Sequence, residues 1–222
     1  MPLLSLFRGM TYVISCIAIL AVDFHIFPRR FAKAEVYGTG LMDTGVGFFI
    51  VSNGIVSPEA RGKYRYCNTL MDKLENMRKA VISSWPLWMI GFCRIIFIKL
   101  LGYQEHVSEY GVHWNFFFTI AVVKVLSTFI LSFISITYCI PLSMSCIMLY
   151  QYLLSYSPIN LTSIILNEDR NGFLMANKEG ICSCIGFLSL YFASVQIGVF
   201  LFQGNRTNVV SWFIVLCQIL TD

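Results

Sequence analysis

The amino-acid sequence predicts an all-α fold, a polytopic transmembrane helix bundle of about six to seven membrane segments, on two grounds. The first is composition: 57% of the 222 residues are hydrophobic and only 13% charged, at a mean hydropathy of +0.69, whereas soluble domains carry roughly a quarter charged residues. The second is distribution. Apolar runs close to the ~20 residues that cross a bilayer recur along the chain and leave almost no sequence for a separate soluble domain, so residues 1–222 are read as a single transmembrane region.

The first run covers residues 3–22. Arg8 near its start resembles the n-region of a signal peptide, but no small-residue cleavage site precedes Asp23 and further runs follow, so it is read as a membrane helix. The second run, 38–57, follows a charged, proline-broken stretch. Its glycines, Gly38, Gly40, Gly45 and Gly47, lack the G-x-G-x-x-G spacing of a dinucleotide site and suit close approach of a helix or a lipid tail. The connection from Pro58 to Ala80 carries Arg61, Lys63, Arg65, Lys73, Arg78 and Lys79, whereas the connection after the third run (81–101), Gly102 to His113, carries no lysine or arginine. The bias of basic residues toward the cytosol makes the former cytosolic and the latter exoplasmic. Alternation then sets the segment from Asp23 to Glu35 on the exoplasmic side as well, despite Arg29, Arg30 and Lys33. Pro141 is expected to divide the apolar stretch from Trp114 to Tyr156 into runs at 114–139 and 140–157, because a mid-helix proline removes a hydrogen bond and clashes with the preceding turn. Runs at 181–202 and 208–222 complete the series. The sequons at Asn160 and Asn205 flank one run and so face opposite sides, which leaves no more than one open to glycosylation.

Ionisable groups at a membrane boundary are costly to desolvate and mark candidate sites. They concentrate in VDFHIFPRRFAKAEVYGTGLMDTGVG, which holds Asp23, His25, Arg29, Arg30, Lys33, Glu35 and Asp43. Asp23 and Lys33 are open to two readings: an ion pair at a helix end, or an acid/base couple whose carboxylate takes a proton from a hydroxyl while the ammonium holds developing negative charge. Arg29 and Arg30 are either interfacial anchors or a clamp on a phosphate. Asp43, at the mouth of the second run, is either a helix N-terminal charge or a site group. The loop GYQEHVSEYGVHWN offers Glu105, His106, Glu109, His113 and Asn115, a mixture that suits sugar or headgroup binding better than metal because the ligand spacing is irregular. Tyr110 and Trp114 also fit an aromatic interface belt. Lys124, ten residues into an apolar run, has to face a cavity or a partner. Of the eight cysteines, all but Cys67 lie in or beside apolar runs, and Cys182 and Cys184 form a C-x-C pair without a nearby histidine, so no metal is assigned. The net charge of +4 comes without a basic stripe interleaved with aromatics, which argues against a nucleic-acid partner.

VDFHIFPRRFAKAEVYGTGLMDTGVG, GYQEHVSEYGVHWNFFFT and NGFLMANKEGI resemble the signature segments of the glycosylphosphatidylinositol (GPI) inositol acyltransferases, the glucosaminyl-phosphatidylinositol acyltransferase family. The resemblance implies a multi-pass protein of the endoplasmic reticulum membrane. It implies transfer of a fatty acyl group, typically palmitoyl, from acyl-CoA to the inositol 2-hydroxyl of glucosaminyl-phosphatidylinositol. Acyl-CoA is then a co-substrate rather than a resident cofactor. It further implies Asp23 and Lys33 as the catalytic pair, with Asp23 drawing the proton from the hydroxyl and Lys33 orienting that carboxylate or stabilising the thioester oxyanion. Arg29 and Arg30 would suit a phosphate of lipid or coenzyme, and Asp43, Glu105, His106, His113 and Asn115 are the candidate substrate contacts. No serine or cysteine elbow is present, which favours direct transfer over a covalent acyl-enzyme. Members of the family are longer, so the chain is expected to be an acyltransferase-like region incomplete at both ends, and a non-catalytic fragment or helix-bundle partner is the alternative from another class.

Overall fold

The computed structural model describes residues 2–24, 26–28, 40–63, 69–102, 107–157 and 160–203. Among them the chain is helical and contains no strand. The elements are α1 (Pro2–Asp23), α2 (Leu41–Ile55), α3 (Leu70–Leu101), α4 (Val107–Tyr110), α5 (Phe116–Phe133), a 3-10 turn (Ile136–Tyr138), α6 (Cys139–Ser155), α7 (Leu161–Leu166), α8 (Gly172–Ala176) and α9 (Lys178–Gln203). Five of the helices are long and apolar enough to cross a membrane, and α2 is a shorter apolar helix. The expected helical membrane bundle is therefore what the chain forms. The run expected at 208–222 lies outside the described residues.

Within an apolar helix a hydroxyl has no water to bond and turns back on its own backbone. In α1 Thr11 donates to the Phe7 carbonyl at 2.9 Å and Ser15 to that of Thr11 at 2.8 Å. Helix α2 runs antiparallel to α1, with edge-to-face contacts of Phe7 with Phe48 and Tyr12 with Phe49. It runs parallel to α9, and the two approach closely at Gly54, where a Cβ would lie 2.7 Å from Ser194 Cβ, and at Gly198, where a Cβ would press on the Ile55 carbonyl oxygen. Gly45 and Gly47, singled out for close packing, would leave a Cβ at ordinary contact distances of 3.5 and 3.8 Å, so the tight crossing lies one helical half further on.

Helix α3 starts at Leu70, whereas hydropathy marks 81 as the beginning of the run. Its first turns are charged but helix-favouring: Thr69 donates to Asp72, and Glu75 pairs with Arg78 at 3.0 Å and Lys79 at 3.6 Å. Helix α5 returns antiparallel to α3, with the Phe118 ring on Trp88 and Phe92 at 5.3 and 5.1 Å. The stretch from Trp114 to Tyr156 does divide in two, but at residues 134–138, and Pro141 sits in the first turn of α6, where its missing N–H costs no hydrogen bond. Helix α6 lies antiparallel on α9 through reciprocal hydroxyl bonds of Ser143 and Ser189, at 2.8 Å and 3.0 Å to each other's carbonyls. Interhelical bonds of this kind contribute roughly 0.6 kcal/mol each in membranes. The core gathers around α9, where Phe192 and Val195 are fully buried against Ile50, Ile120 and Val123.

These pairings put the end of α1, the start of α2, the end of α3 and the starts of α5 and α9 at one end of the bundle. The basic connection between α2 and α3 lies at the other.

Candidate functional site

A cavity of about 440 Å³ opens at the first end, between α1, α2, α4, α5 and α9, with α3 closing one side. Its wall is mostly apolar, from Ala18, Ile19, Val46, Phe49, Phe116 and Phe187 among others. Its polar groups are Ser15, Asp43, Arg94, Glu109, Tyr110 and Ser183. By formal count the described wall sets two carboxylates against one guanidinium. Asp43 is the third residue of α2, and its carboxylate accepts the Gly40 N–H at 2.7 Å, which pins the helix start and puts negative charge where the helix dipole favours it. Tyr110 reports how close these groups are to one another. Burial pushes its hydroxyl well above the ordinary tyrosine range, the neighbouring Glu109 charge pushes it further, Arg94 pulls it back, and Asp43 raises it again.

Glu109 and Tyr110 are held there by a clasp between the turn after α4 and the start of α9. Gly111 has φ +101°, and a Cβ on it would lie 2.5 Å from the Ala176 carbonyl, so the turn needs glycine both for its backbone and for its space. Val112 N–H donates to that carbonyl at 2.9 Å. Asn177, fully buried, accepts the His113 N–H on its Oδ1 at 2.7 Å and donates through Nδ2 to the Phe173 carbonyl at 2.8 Å. Gly180 leaves room for the Trp114 indole, whose Nε1 donates to Thr119 at 2.9 Å. Below the clasp, Arg170 grips Glu179 through Nη2 to Oε1 at 2.8 Å and Nη1 to Oε2 at 3.3 Å, and Lys178, also buried, donates to the carbonyls of Asn167 and Asp169.

The candidates read from sequence thus fall into groups. Asp23 is the last residue of α1, four residues after Ile19 on the cavity wall, and its side chain lies outside the described residues. His25, Arg29, Arg30, Lys33, Glu35, Glu105 and His106 lie outside them altogether. Asp43 and Glu109 line the cavity. Asn115 is buried and fully engaged: its Oδ1 caps α5 by accepting from Phe117 and Phe118 N–H at 3.0 and 3.1 Å, and its Nδ2 donates to the Gly91 carbonyl on α3 at 3.0 Å. His113 contributes its backbone to the clasp, and neither His113 nor Asn115 is on the wall of the described cavity. Lys124 does both things asked of it, facing a separate cavity of about 180 Å³ and donating to the Ser83 carbonyl at 3.2 Å across the α3–α5 contact. Near it at the basic end, Glu59 is buried and accepts from Thr128 at 2.6 Å. Sequence reasoning missed Arg94, hidden in the apolar run FCRIIFIKLL, where a lone guanidinium was itself the signal. It also missed the clasp partners Asn177 and Arg170. Among the described residues no group of three or more His, Cys, Asp and Glu side chains could hold a metal ion.

The GWT1 family model matches residues 1–221 of the chain. The chain is 40% identical over 223 residues to glucosaminyl-phosphatidylinositol-acyltransferase PIGW of Mus musculus, covering 99% of this chain and 43% of the relative. It is 42% identical over 228 residues to the protein of the same name in Bos taurus, at the same coverage of 99% and 43%. It is 44% identical over 213 residues to GPI-anchored wall transfer protein 1 of Saccharomyces cerevisiae, covering 94% of this chain and 42% of the relative. The chain therefore spans less than half the length of these curated relatives.

Proposed function

The chain belongs to the GWT1 family, and from that premise we propose that it carries the acyl-transfer centre of a glucosaminyl-phosphatidylinositol acyltransferase of GPI-anchor biosynthesis, in the endoplasmic reticulum membrane. The observation that carries this reading is the amphipathic cavity at the end of the bundle where α1 closes on Asp23. A chamber whose wall is mostly apolar but carries a few polar and charged side chains fits a reaction that joins a fatty acyl chain to a sugar-alcohol headgroup. In the proposed reaction Asp23 takes the proton of the inositol 2-hydroxyl as its oxygen attacks the thioester carbon of acyl-CoA. Lys33 orients the carboxylate or faces the oxyanion. Collapse of the tetrahedral intermediate breaks the carbon–sulfur bond, the coenzyme leaves as the thiolate, and the proton held by Asp23 passes to sulfur. The apolar walls exclude the water that would otherwise hydrolyse the thioester.

The test is mass spectrometry of glucosaminyl-phosphatidylinositol incubated with palmitoyl-CoA and membranes of acyltransferase-deficient cells expressing this chain, beside Asp23→Ala. An inositol-acylated lipid that disappears in the variant is the expected result. No product from a chain present at normal abundance would overturn the reading for this chain.

A further inference from the structure

Two smaller cavities, of about 230 Å³ and 180 Å³, continue from the large one toward the basic end of the bundle. Helices α2 and α5 order all three. Along α2 the walls step from residues 41–49 to 49–53 and then to 50–56, and along α5 from Phe116 through Phe117 and Ile120 to Val123 and Lys124. Helix α1 repeats the first step, from Ser15, Ala18 and Ile19 back to Arg8, Thr11 and Tyr12. Neighbouring cavities share side chains: Phe49 and Phe116 stand between the first and second, their rings edge to face at 5.6 Å, and Asn53, Leu87 and Ile120 between the second and third. The fifteen residues from Leu41 to Val56 cover ~22 Å of the bundle axis, most of the ~30 Å hydrocarbon core of a bilayer.

The walls also change in kind along this row. The two smaller cavities bring the hydroxyls of Tyr12, Ser52 and Ser57, the Asn53 amide and the cations Arg8 and Lys124, and no carboxylate lines either of them among the described residues. Glu59, at the same end, is buried against Thr128. Beyond the last cavity the connection that starts at Pro58 exposes Arg61 and Lys63. Acyl-CoA has the same order of chemistry: a fatty chain and thioester, then an arm of amides, then phosphates.

We propose that the two smaller cavities are the entry passage of the acyl donor, which threads in from the basic end; this rests on the acyl-transfer reading above. The amide arm lies in the narrow cavities, the thioester and fatty chain reach the large chamber at the Asp23 end, and the phosphates stay outside beside the basic connection. The opposite arrangement, with the coenzyme at the Asp23 end and the fatty tail pointing down the row, would bury methylenes against the Asn53 amide and the Lys124 ammonium and take away their polar surroundings. Amides in the passage bond to those groups instead.

The experiment compares palmitoyl-CoA with butyryl-CoA as donors in the same membranes, for the wild-type chain and for Leu87→Trp, which narrows the passage at the point shared by its two cavities and leaves the large chamber untouched. The expected result is a KM raised by roughly 10- to 100-fold for both donors alike, as for overpacking a filled space, with the KM for glucosaminyl-phosphatidylinositol unchanged. A rise for palmitoyl-CoA alone would overturn the proposal, because the row would then hold the fatty tail. Unchanged values for both donors would overturn it as well. Inactivity of the wild-type chain would be a failure of the acyl-transfer reading. The passage is then tested by binding, as it is if Leu87→Trp does not accumulate: Asn53→Cys in the purified chain is alkylated with a water-soluble maleimide and read by intact-mass spectrometry against the wild-type chain. Protection by coenzyme A without an acyl group supports the passage. Protection by palmitate alone, protection by neither, or no alkylation at Asn53→Cys overturns it.

Discussion

Between Val107 and Asn115 the chain does two different things within a few residues. Glu109 and Tyr110 line the cavity, while Gly111, Val112, His113 and Asn115 are spent on contacts to the junction of α8 with α9 and to α3. Polar side chains look alike in a sequence motif, but those taken up by the backbone of a distant segment, as Asn115 is by Gly91, fix where the site is rather than form its wall. In Asn115 both amide atoms are committed within 3.0–3.1 Å. The comparison makes a clear demand: damage to the clasp should appear first as lost stability, and damage to the wall first as altered binding.

The largest stability effect is expected at Asn177, which is fully buried and serves the turn and α8 at once. Asn177→Ala leaves the His113 N–H and the Phe173 carbonyl without their bond, at a cost of about 2–6 kcal/mol in total, since each buried orphan costs about 1–3 kcal/mol. Thermal unfolding in detergent should show a lower midpoint. Asn177→Asp, which keeps the acceptor for His113 and loses the donor to Phe173, should recover about half of the loss. Full recovery in Asn177→Asp would mean that the side chain acts by filling space rather than by bridging.

Gly111→Ala comes next. The residue sits at φ +101°, and the new Cβ would press on the Ala176 carbonyl, so a loss of about 1–3 kcal/mol is expected. It should show in the same unfolding measurement, with abundance in membranes falling in parallel. Smaller still is the Arg170–Glu179 pair at 2.8 Å, whose side chains are 29% and 11% exposed. A double-mutant cycle with Arg170→Met and Glu179→Gln should return a coupling of about 1 kcal/mol that weakens as salt is raised. A coupling near zero would place the hold on α9 entirely in the backbone contacts.

The fold was legible wherever hydropathy alone decides. The runs at 3–22 and 181–202 correspond to α1 and α9 within a few residues. The beginning of α3 was not legible that way, because residues 70–80 are held helical by Thr69, Asp72 and the Glu75 pairs rather than by apolar character. The break before α6 was assigned to Pro141 because proline is the strongest breaker in a sequence, yet its ring is welcome in a first turn. Asn115 carried a readable signal of its own, an asparagine directly before an apolar run, which is the mark of an N-cap. Arg94 was overlooked because the run around it was read only for its mean hydropathy, and Asn177 because nothing local tells a buried amide from a solvated one. Both acquire meaning only when distant segments meet.

The finest test of the wall is Tyr110, because the charges around it pull in opposite directions. Its hydroxyl titrates above the tyrosine value of about 10 found in an unfolded chain, chiefly through burial and then through Glu109. A group whose pKa is raised by folding lends stability that is complete below the unfolded pKa and is lost as pH rises through the folded one. Stability should therefore decline from about pH 10 upward, and Tyr110→Phe should remove that part of the decline. The neighbours sharpen the point. Glu109→Gln takes away a raising charge and should move the Tyr110 titration downward, though burial keeps it above the ordinary range; Arg94→Gln takes away a lowering charge and should move it upward. Ultraviolet difference titration of each variant against its own Tyr110→Phe counterpart isolates this one phenol. Opposite shifts would mean that Glu109 and Arg94 bear on one cavity from two sides, whereas shifts of the same sign, or none, would mean that Arg94 points elsewhere and that the wall carries only the negative charge of α2 and α4.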